Sequence, residues 1–264
     1  MTPDIEIKIL GPIEVYIRGA NVTVPGRKLK NILALLALRP GQEMRRDELI
    51  DELDLLQSSK NAANTLHAHV ARLRRWLFAV GGFGGSEIIE STQTGYRLNV
   101  PPSAVDADRF STVVERATLL SRSAPFLVAT LMADALDLWH GEALMDGPDG
   151  PATSAAVDRL NHDRSAAREL LLDSLILLDN DRQIIKYARG FIVDDPLNEM
   201  FRAALVAALR RSGRYTEAID TFRAAQDFFL QELGVEPSSR LRTELDLIRR
   251  HLVDASDLDR SRSV

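Results

Sequence analysis

The residue types able to do chemistry in this sequence concentrate between Lys60 and Leu77. That stretch holds Lys60, Arg72, Arg74 and Arg75 and no acid. It also holds Asn61, Asn64, Thr65, His67 and His69. Arginine reads guanine O6 and N7, asparagine reads adenine bidentately, and either side chain holds phosphates. On a helix, Leu66, Val70, Leu73 and Leu77 fall within about 40° of one line, an apolar stripe that faces a core. The opposite face carries Asn61, Asn64, Ala68, Ala71, Arg72 and Arg75, with Lys60 and His67 at its border. Small Ala68 and Ala71 would let such a helix sit deep in a major groove. A basic amphipathic helix is often only a solvated face. Its place between a short helix and a hairpin favours the groove reading here.

Other chemistries find no support in the spacing. His67 and His69 are two residues apart and leave a helix in different directions, whereas helical metal ligands need i, i+3 or i+4 spacing. His140, His162 and His251 are scattered. The glycines from Gly81 to Gly85 lack a following Lys-Ser or Lys-Thr, so no phosphate loop forms. Asp194-Asp195 before Pro196 mark the end of a helix. No Ser-His-Asp or paired-carboxylate arrangement emerges, so no enzyme, metal or cofactor is expected. The chain has no cysteine, which excludes disulfides and thiolate sites.

The elements needed to position that helix are legible around it. Ile5, Ile7 and Ile9 alternate with Glu6 and Lys8, as in a half-buried strand. Gly11-Pro12 breaks the pattern, and Ile13, Val15 and Ile17 repeat it. Gly19-Ala20-Asn21 predicts a hairpin turn before a strand at Val22-Thr23-Val24. A first helix is predicted from Arg27 to Leu38 on the stripe Leu29, Ile32, Leu33 and Leu36, ended by Pro40-Gly41. A second runs from Arg46 to Leu55. The third, capped by Ser58-Ser59, runs to Phe78. Ile88-Ile89 and Tyr96–Val100 then flank a turn with Gly95, and Thr94 and Arg97 near its tip suit contact with a DNA backbone or minor groove. Three helices and a hairpin outline a winged helix-turn-helix.

After Pro102 the pattern is helix upon helix, with apolar stripes at Phe110–Leu120, Phe126–Trp139, Val157–Leu178, Ile184–Val193, Met200–Leu209, Ala218–Leu230 and Leu241–Leu252. Gly213, Tyr215, Glu217, Ala218, Phe222 and Ala225 have tetratricopeptide-repeat spacing. The fold class is therefore mainly α with a small β component. The predicted domains are a winged helix-turn-helix over 1–102, tetratricopeptide-like helices over 103–253, and a disordered tail over 254–264.

The chain has 264 residues, 45% hydrophobic and 27% charged, too apolar for disorder. No apolar run approaches the roughly 18 residues of a membrane span, and no signal-peptide pattern opens it. A cytoplasmic, nucleoid-associated protein is expected. The net charge of −5 is uneven. Residues 1–104 carry 13 Lys and Arg against 11 Asp and Glu, whereas residues 105–264 carry 20 against 27. A nucleic acid feels the local field, within a Debye length of about 8 Å.

The motifs also resemble a known family. Ile9-Leu10-Gly11-Pro12-Ile13-Glu14-Val15, Leu33–Gly41, Val70-Ala71-Arg72-Leu73-Arg74-Arg75 and Gly95-Tyr96-Arg97-Leu98 are similar to the Streptomyces antibiotic regulatory proteins. Val105-Asp106, Arg109-Phe110, Leu138-Trp139-His140-Gly141, Asp195-Pro196-Leu197, Arg211–Arg214 and Glu232–Pro237 resemble that family's bacterial transcriptional activator domain. The resemblance covers nearly the whole chain in order. It implies a transcriptional activator of a secondary-metabolite gene cluster that binds double-stranded DNA at direct repeats near the promoter −35 region. Two protomers would lie side by side and contact the sigma factor and alpha subunit of RNA polymerase holoenzyme. It implies DNA contacts from Arg27 and Lys28 at the start of the first helix, and a polymerase-contact loop of Asp54, Leu55, Leu56, Gln57 and Ser58. Leu53-Asp54-Leu55 departs from the family's common Leu-Trp-Gly. Neither the ATPase module of longer relatives nor a receiver domain is expected. A helical-repeat interaction scaffold without specific DNA binding stands as the alternative, since residues 105–264 are acidic.

Overall fold

The computed structural model describes residues 4–58, 61–82, 84–120 and 123–262. The chain divides into two compact units, Met1–Arg116 with Ala133–Arg164, and Ala117–Met132 with Ser165–Val264.

The first unit opens with an antiparallel meander, β1 (Ile5–Lys8), β2 (Glu14–Ile17) and β3 (Ala20–Asn21). Ile5, Ile7, Val15 and Ile17 are all buried, as the alternation requires. The hairpin turn is Arg18-Gly19, both at positive φ, so Ala20-Asn21 are strand and not turn. The predicted strand at 22–24 correspondingly reduces to one added ladder bond, Val22 N–H to the Val15 carbonyl at 2.8 Å.

Helix α1 (Arg27–Ala37) is buried on nearly every side from Asn31 onward, not on one stripe alone. A strand the sequence pattern does not show, β4 (Glu43–Arg45), follows it. The predicted second helix is split. Helix α2 (Arg46–Glu52) ends before Asp54, whose φ is 50°, and a single turn, α3 (Leu55–Ser58), follows. Helix α4 (Ala62–Gly81) buries Leu66, Val70, Leu73 and Leu77, the expected stripe, and extends it at its ends to Ala62 and Gly81. It starts two residues later than a helix beginning directly after Ser58-Ser59 would. Asn61 is the cap, its Oδ1 accepting the Asn64 amide at 3.1 Å. A short α5 (Gly85–Ile88) leads to β5 (Ile89–Ser91) and β6 (Gly95–Leu98), and the second sheet has the order β4-β6-β5.

This unit extends past residue 102, the predicted boundary. After a 3₁₀ turn (Pro102–Ala104), α6 (Asp106–Leu120) begins with its first carboxylate against the β1–β2 connection. Asp106 accepts the amides of Ile9 at 2.8 Å and Leu10 at 3.1 Å. Residues after α7 (Pro125–Leu136) return to the same place. The amides of His140 and Leu144 bond the carbonyls of Leu10 at 3.0 Å and Ile9 at 2.8 Å. Gly11 is a close approach, since a Cβ there would sit 2.8 Å from His140 Cδ2. Trp139 meets Phe110 edge-on at 5.4 Å. Finally, Glu52 of α2 caps α8 (Pro151–Leu177), accepting the Ala152 and Thr153 amides at 2.6 and 3.2 Å and the Thr153 hydroxyl at 2.8 Å.

Two aspartates of this region titrate in opposite directions. Burial pushes Asp106 above the ordinary carboxyl range, although three amides bond its charged form. For Asp146 burial also acts upward, but the Ile13 amide at 2.7 Å and the Lys30 ammonium outweigh it and hold the carboxyl low. A lowered folded value means stability that is present above the unfolded value and lost as pH falls through the folded one. Asp106 has the opposite sign. Denaturation midpoints at about pH 6 and about pH 3 should therefore differ less in Asp146→Asn than in the parent chain.

The second unit is helical. It takes in the later part of α8, then α9 (Asp181–Asp194), α10 (Glu199–Arg211), α11 (Tyr215–Leu233) and α12 (Ser239–Arg262). Helix α10 packs against α9, α11 and α12 and is buried continuously from Phe201 to Leu209. Helix α11 buries Ala218, Phe222 and Ala225, three of the repeat positions seen in the sequence, and Phe229 besides. Helix α12 continues to Arg262, so the expected tail at 254–264 is helical through Arg262.

Candidate nucleic-acid interface

The exposed side of α4 is the candidate surface. Asn64, Ala68, Arg72 and Arg75 are all exposed, and Ala71 is half-buried beside them. Among the described residues, neither Arg72 nor Arg75 is matched with an acid. Their charge is thus available to a polyanion, whereas exposed Arg27, Arg39 and Arg45 of the same unit each stand against an acid.

The remaining predicted residues divide by what they already hold. Arg27 is exposed and only loosely set against Asp149 at 3.7 Å, a pair open enough to water to be worth at most about 1 kcal/mol. Lys28 donates its ammonium to the Leu53 carbonyl, tying α1 to the end of α2. Asn61 spends its side-chain oxygen on the cap, and Thr65 donates its hydroxyl to the Asn61 carbonyl at 3.1 Å. Asn61 and Thr65 therefore shape the start of α4. Lys60 lies outside the described residues.

The hairpin is similarly engaged. Thr94, exposed at the tip, donates its hydroxyl to Glu43, and hydrogen bonds from Thr94 and Thr92 pull the Glu43 carboxyl below its ordinary value. Arg97 pairs with Glu90 across the β5–β6 register, so its guanidinium is not free as the sequence reading supposes. In the segment after α2, Leu55 is 1% exposed and anchors the turn, whereas Leu56 is 67% exposed. Asp54 and Gln57 are also exposed, and the Ser58 side chain lies outside the described residues. Leu55 is thereby removed from the surface groups of the predicted loop.

Two residues that organise this surface escape the sequence reading. Arg74 turns away from the exposed face toward the hairpin. Its guanidinium donates to the Ile89 carbonyl at 2.9 and 2.6 Å and to the Ser91 hydroxyl at 2.9 Å. Tyr96 of β6, buried beneath it, has its hydroxyl 3.2 Å from His67 Nδ1. The signal available was the seven-residue interval between His67 and Arg74, which puts both on one flank of α4. His69 leaves by the other flank. Burial, then the charges of Arg72 and Lys28, pull its imidazole below the usual value.

The chain is similar to known proteins. Residues 105–249 match the family described as the bacterial transcriptional activator domain, and residues 22–98 match that described as transcriptional regulatory protein, C terminal. The transcriptional regulator RedD of Streptomyces coelicolor is 31% identical, over 90% of this chain and 68% of that protein. The regulatory protein DnrI of Streptomyces peucetius is 30% identical, over 89% of each. The regulatory protein AfsR of Streptomyces griseus is 28% identical, but this chain spans only 23% of it. Among solved structures, Mycobacterium tuberculosis EmbR, in complex with a low affinity phosphopeptide, superposes with a TM-score of 0.82 at 22% identity. That match covers 94% of this chain and 66% of EmbR and speaks for the fold alone.

Proposed function

Because this chain belongs to the bacterial transcriptional activator domain family, among the Streptomyces antibiotic regulatory proteins, we propose that it activates transcription by laying α4 in the major groove of a promoter. The observation that carries this reading is the acid-free exposed side of α4, ending in unmatched Arg72 and Arg75 and flanked by a three-stranded wing. The target is a direct repeat near the −35 region of a secondary-metabolite gene cluster, occupied by two protomers side by side. Arg27 and the tip of the wing add backbone contacts. Exposed Leu56 and Gln57, beside the groove helix, are the surface offered to RNA polymerase holoenzyme. The protein works in the cytoplasm on the nucleoid. No helix among the described residues is long and apolar enough to cross a membrane.

Selection of bound duplexes from a random pool by the full chain tests this reading. Two direct repeats about one helical turn apart are expected. Arg72→Ala or Arg75→Ala should weaken binding to the selected site by about 1–3 kcal/mol if that arginine reads a base. A phosphate contact would instead weaken every duplex alike and flatten the salt dependence. An Arg72→Ala, Arg75→Ala double variant that binds as the parent does would overturn the assignment of α4. Failure to enrich any motif would favour the scaffold alternative.

A further inference from the structure

We propose that Tyr96 is a positioning residue for base reading. It holds His67 so that the imidazole presents Nε2–H to a hydrogen-bond acceptor on the major-groove edge of a base. This rests on the reading of α4 as the groove helix and adds a specificity rule to it.

Tyr96 has little freedom. Its backbone is paired on both sides, with Met44 of β4 and Ser91 of β5. Its side chain is 3% exposed, and the Arg74 guanidinium lies 5.9 Å from its ring while bonded to β5. A buried hydroxyl has one hydrogen to give and must give it. Among the described residues, the partner found for it is His67 Nδ1 at 3.2 Å. When Nδ1 accepts, a neutral imidazole carries its proton on Nε2. His67 is exposed and borders the acid-free side of α4, so this N–H is available to the groove. The acceptors there are purine N7, guanine O6 and thymine O4, whereas cytosine offers the N4 amino donor. A fixed donor thus accepts three bases and rejects cytosine at one position of one strand.

The test uses the full chain, its selected duplex, and that duplex carrying each of the four bases at successive positions. His67→Ala should locate the position by losing discrimination against cytosine there. Tyr96→Phe should lose the same discrimination at the same position, by about 5-fold, the scale of one neutral hydrogen bond. The double variant should lose no more than either alone, with the salt dependence unchanged. His67→Gln, whose amide donor does not need the tyrosine, should restore discrimination in the Tyr96→Phe background.

Tyr96→Phe that keeps full discrimination overturns the proposal. So does a uniform loss on all duplexes without rescue by His67→Gln, which is what a merely structural tyrosine would give. If the Arg72, Arg75 double variant binds normally, the groove reading itself fails. If that variant loses binding while Tyr96→Phe discriminates as the parent does, only this inference fails.

Discussion

Gly95→Ala breaks the wing. Gly95 stands opposite Arg45 in the β4–β6 register. A Cβ at this position would fall on the Met44 carbonyl oxygen, with the Met44 carbonyl carbon at 2.8 Å and Arg45 Cα at 2.9 Å. All three are backbone atoms of the neighbouring strand, so no side chain can swing aside to make room. The strain is relieved only if β4 leaves β6, which forfeits the pairing from Glu43 to Arg45. The expected cost is at least about 3 kcal/mol, the upper range for overpacking with lost ladder bonds added. For a chain of this size that is a fall in Tm of roughly 10 °C. Because Tyr96 of β6 loses its backbone pairing with Met44 of β4, binding to the selected duplex should fall as well. Arg97→Ala, two residues along, removes only a half-exposed ion pair with Glu90 and should cost no more than about 1 kcal/mol. Thermal unfolding of the two variants side by side checks the contrast. Equal transitions would mean that the strand can yield.

The same neighbourhood shows what the sequence reveals and what it hides. The core side of α4 was legible because Leu66, Val70, Leu73 and Leu77 repeat at helical period, and burial follows that period. The alternation in β1 and β2 and the repeat positions Ala218, Phe222 and Ala225 were legible for the same reason. Strand β4 was not, because Glu43-Met44-Arg45 contains one apolar residue and owes its conformation to the strand beside it. The break at Asp54 was hidden because a positive φ at a non-glycine residue leaves no compositional mark. For the candidate interface, the wheel placed Asn64, Ala68, Arg72 and Arg75 outward. It had no means of knowing that Lys28 would meet a carbonyl, that Arg97 would meet Glu90, or that Asn61 would be a cap. Those are partnerships of geometry, and only Asn61 has a local signature. Likewise Ile9-Leu10-Gly11 and Leu138-Trp139-His140-Gly141 read as separate motifs, yet their backbones bond one another.

That last pairing yields the largest expected effect, which concerns a fragment and not a point change. Residues 1–104 hold every element of the winged helix-turn-helix, yet alone they should show no cooperative unfolding transition. Ile9 and Leu10 are fully buried and Ile13 is 3% exposed. Beyond residue 104 lie the Asp106 carboxylate that takes the Ile9 and Leu10 amides, the His140 and Leu144 amides that meet their carbonyls, and the Asp146 carboxylate on the Ile13 amide. Exposing such side chains costs about 1.5–3 kcal/mol each, and each lost charge-assisted bond about 1.5–3 kcal/mol more. Those losses together match the roughly 5–15 kcal/mol that keeps a typical domain folded. The fragment also loses the α8 amides that satisfy buried Glu52. A chain ending after Arg164 keeps all of these partners and should retain a cooperative transition. Within the full chain, Glu52→Ala should cost about 3 kcal/mol, because two amides and a hydroxyl lose a charged acceptor at once. Urea titrations of both fragments, followed by circular dichroism and an apolar-surface dye, decide the matter. A sharp, dye-silent transition in residues 1–104 would show that the winged helix carries its own stability. A broad one would show that the segments of this unit after residue 104 are part of the fold that presents α4, so that a change in them reaches its exposed side through shared packing.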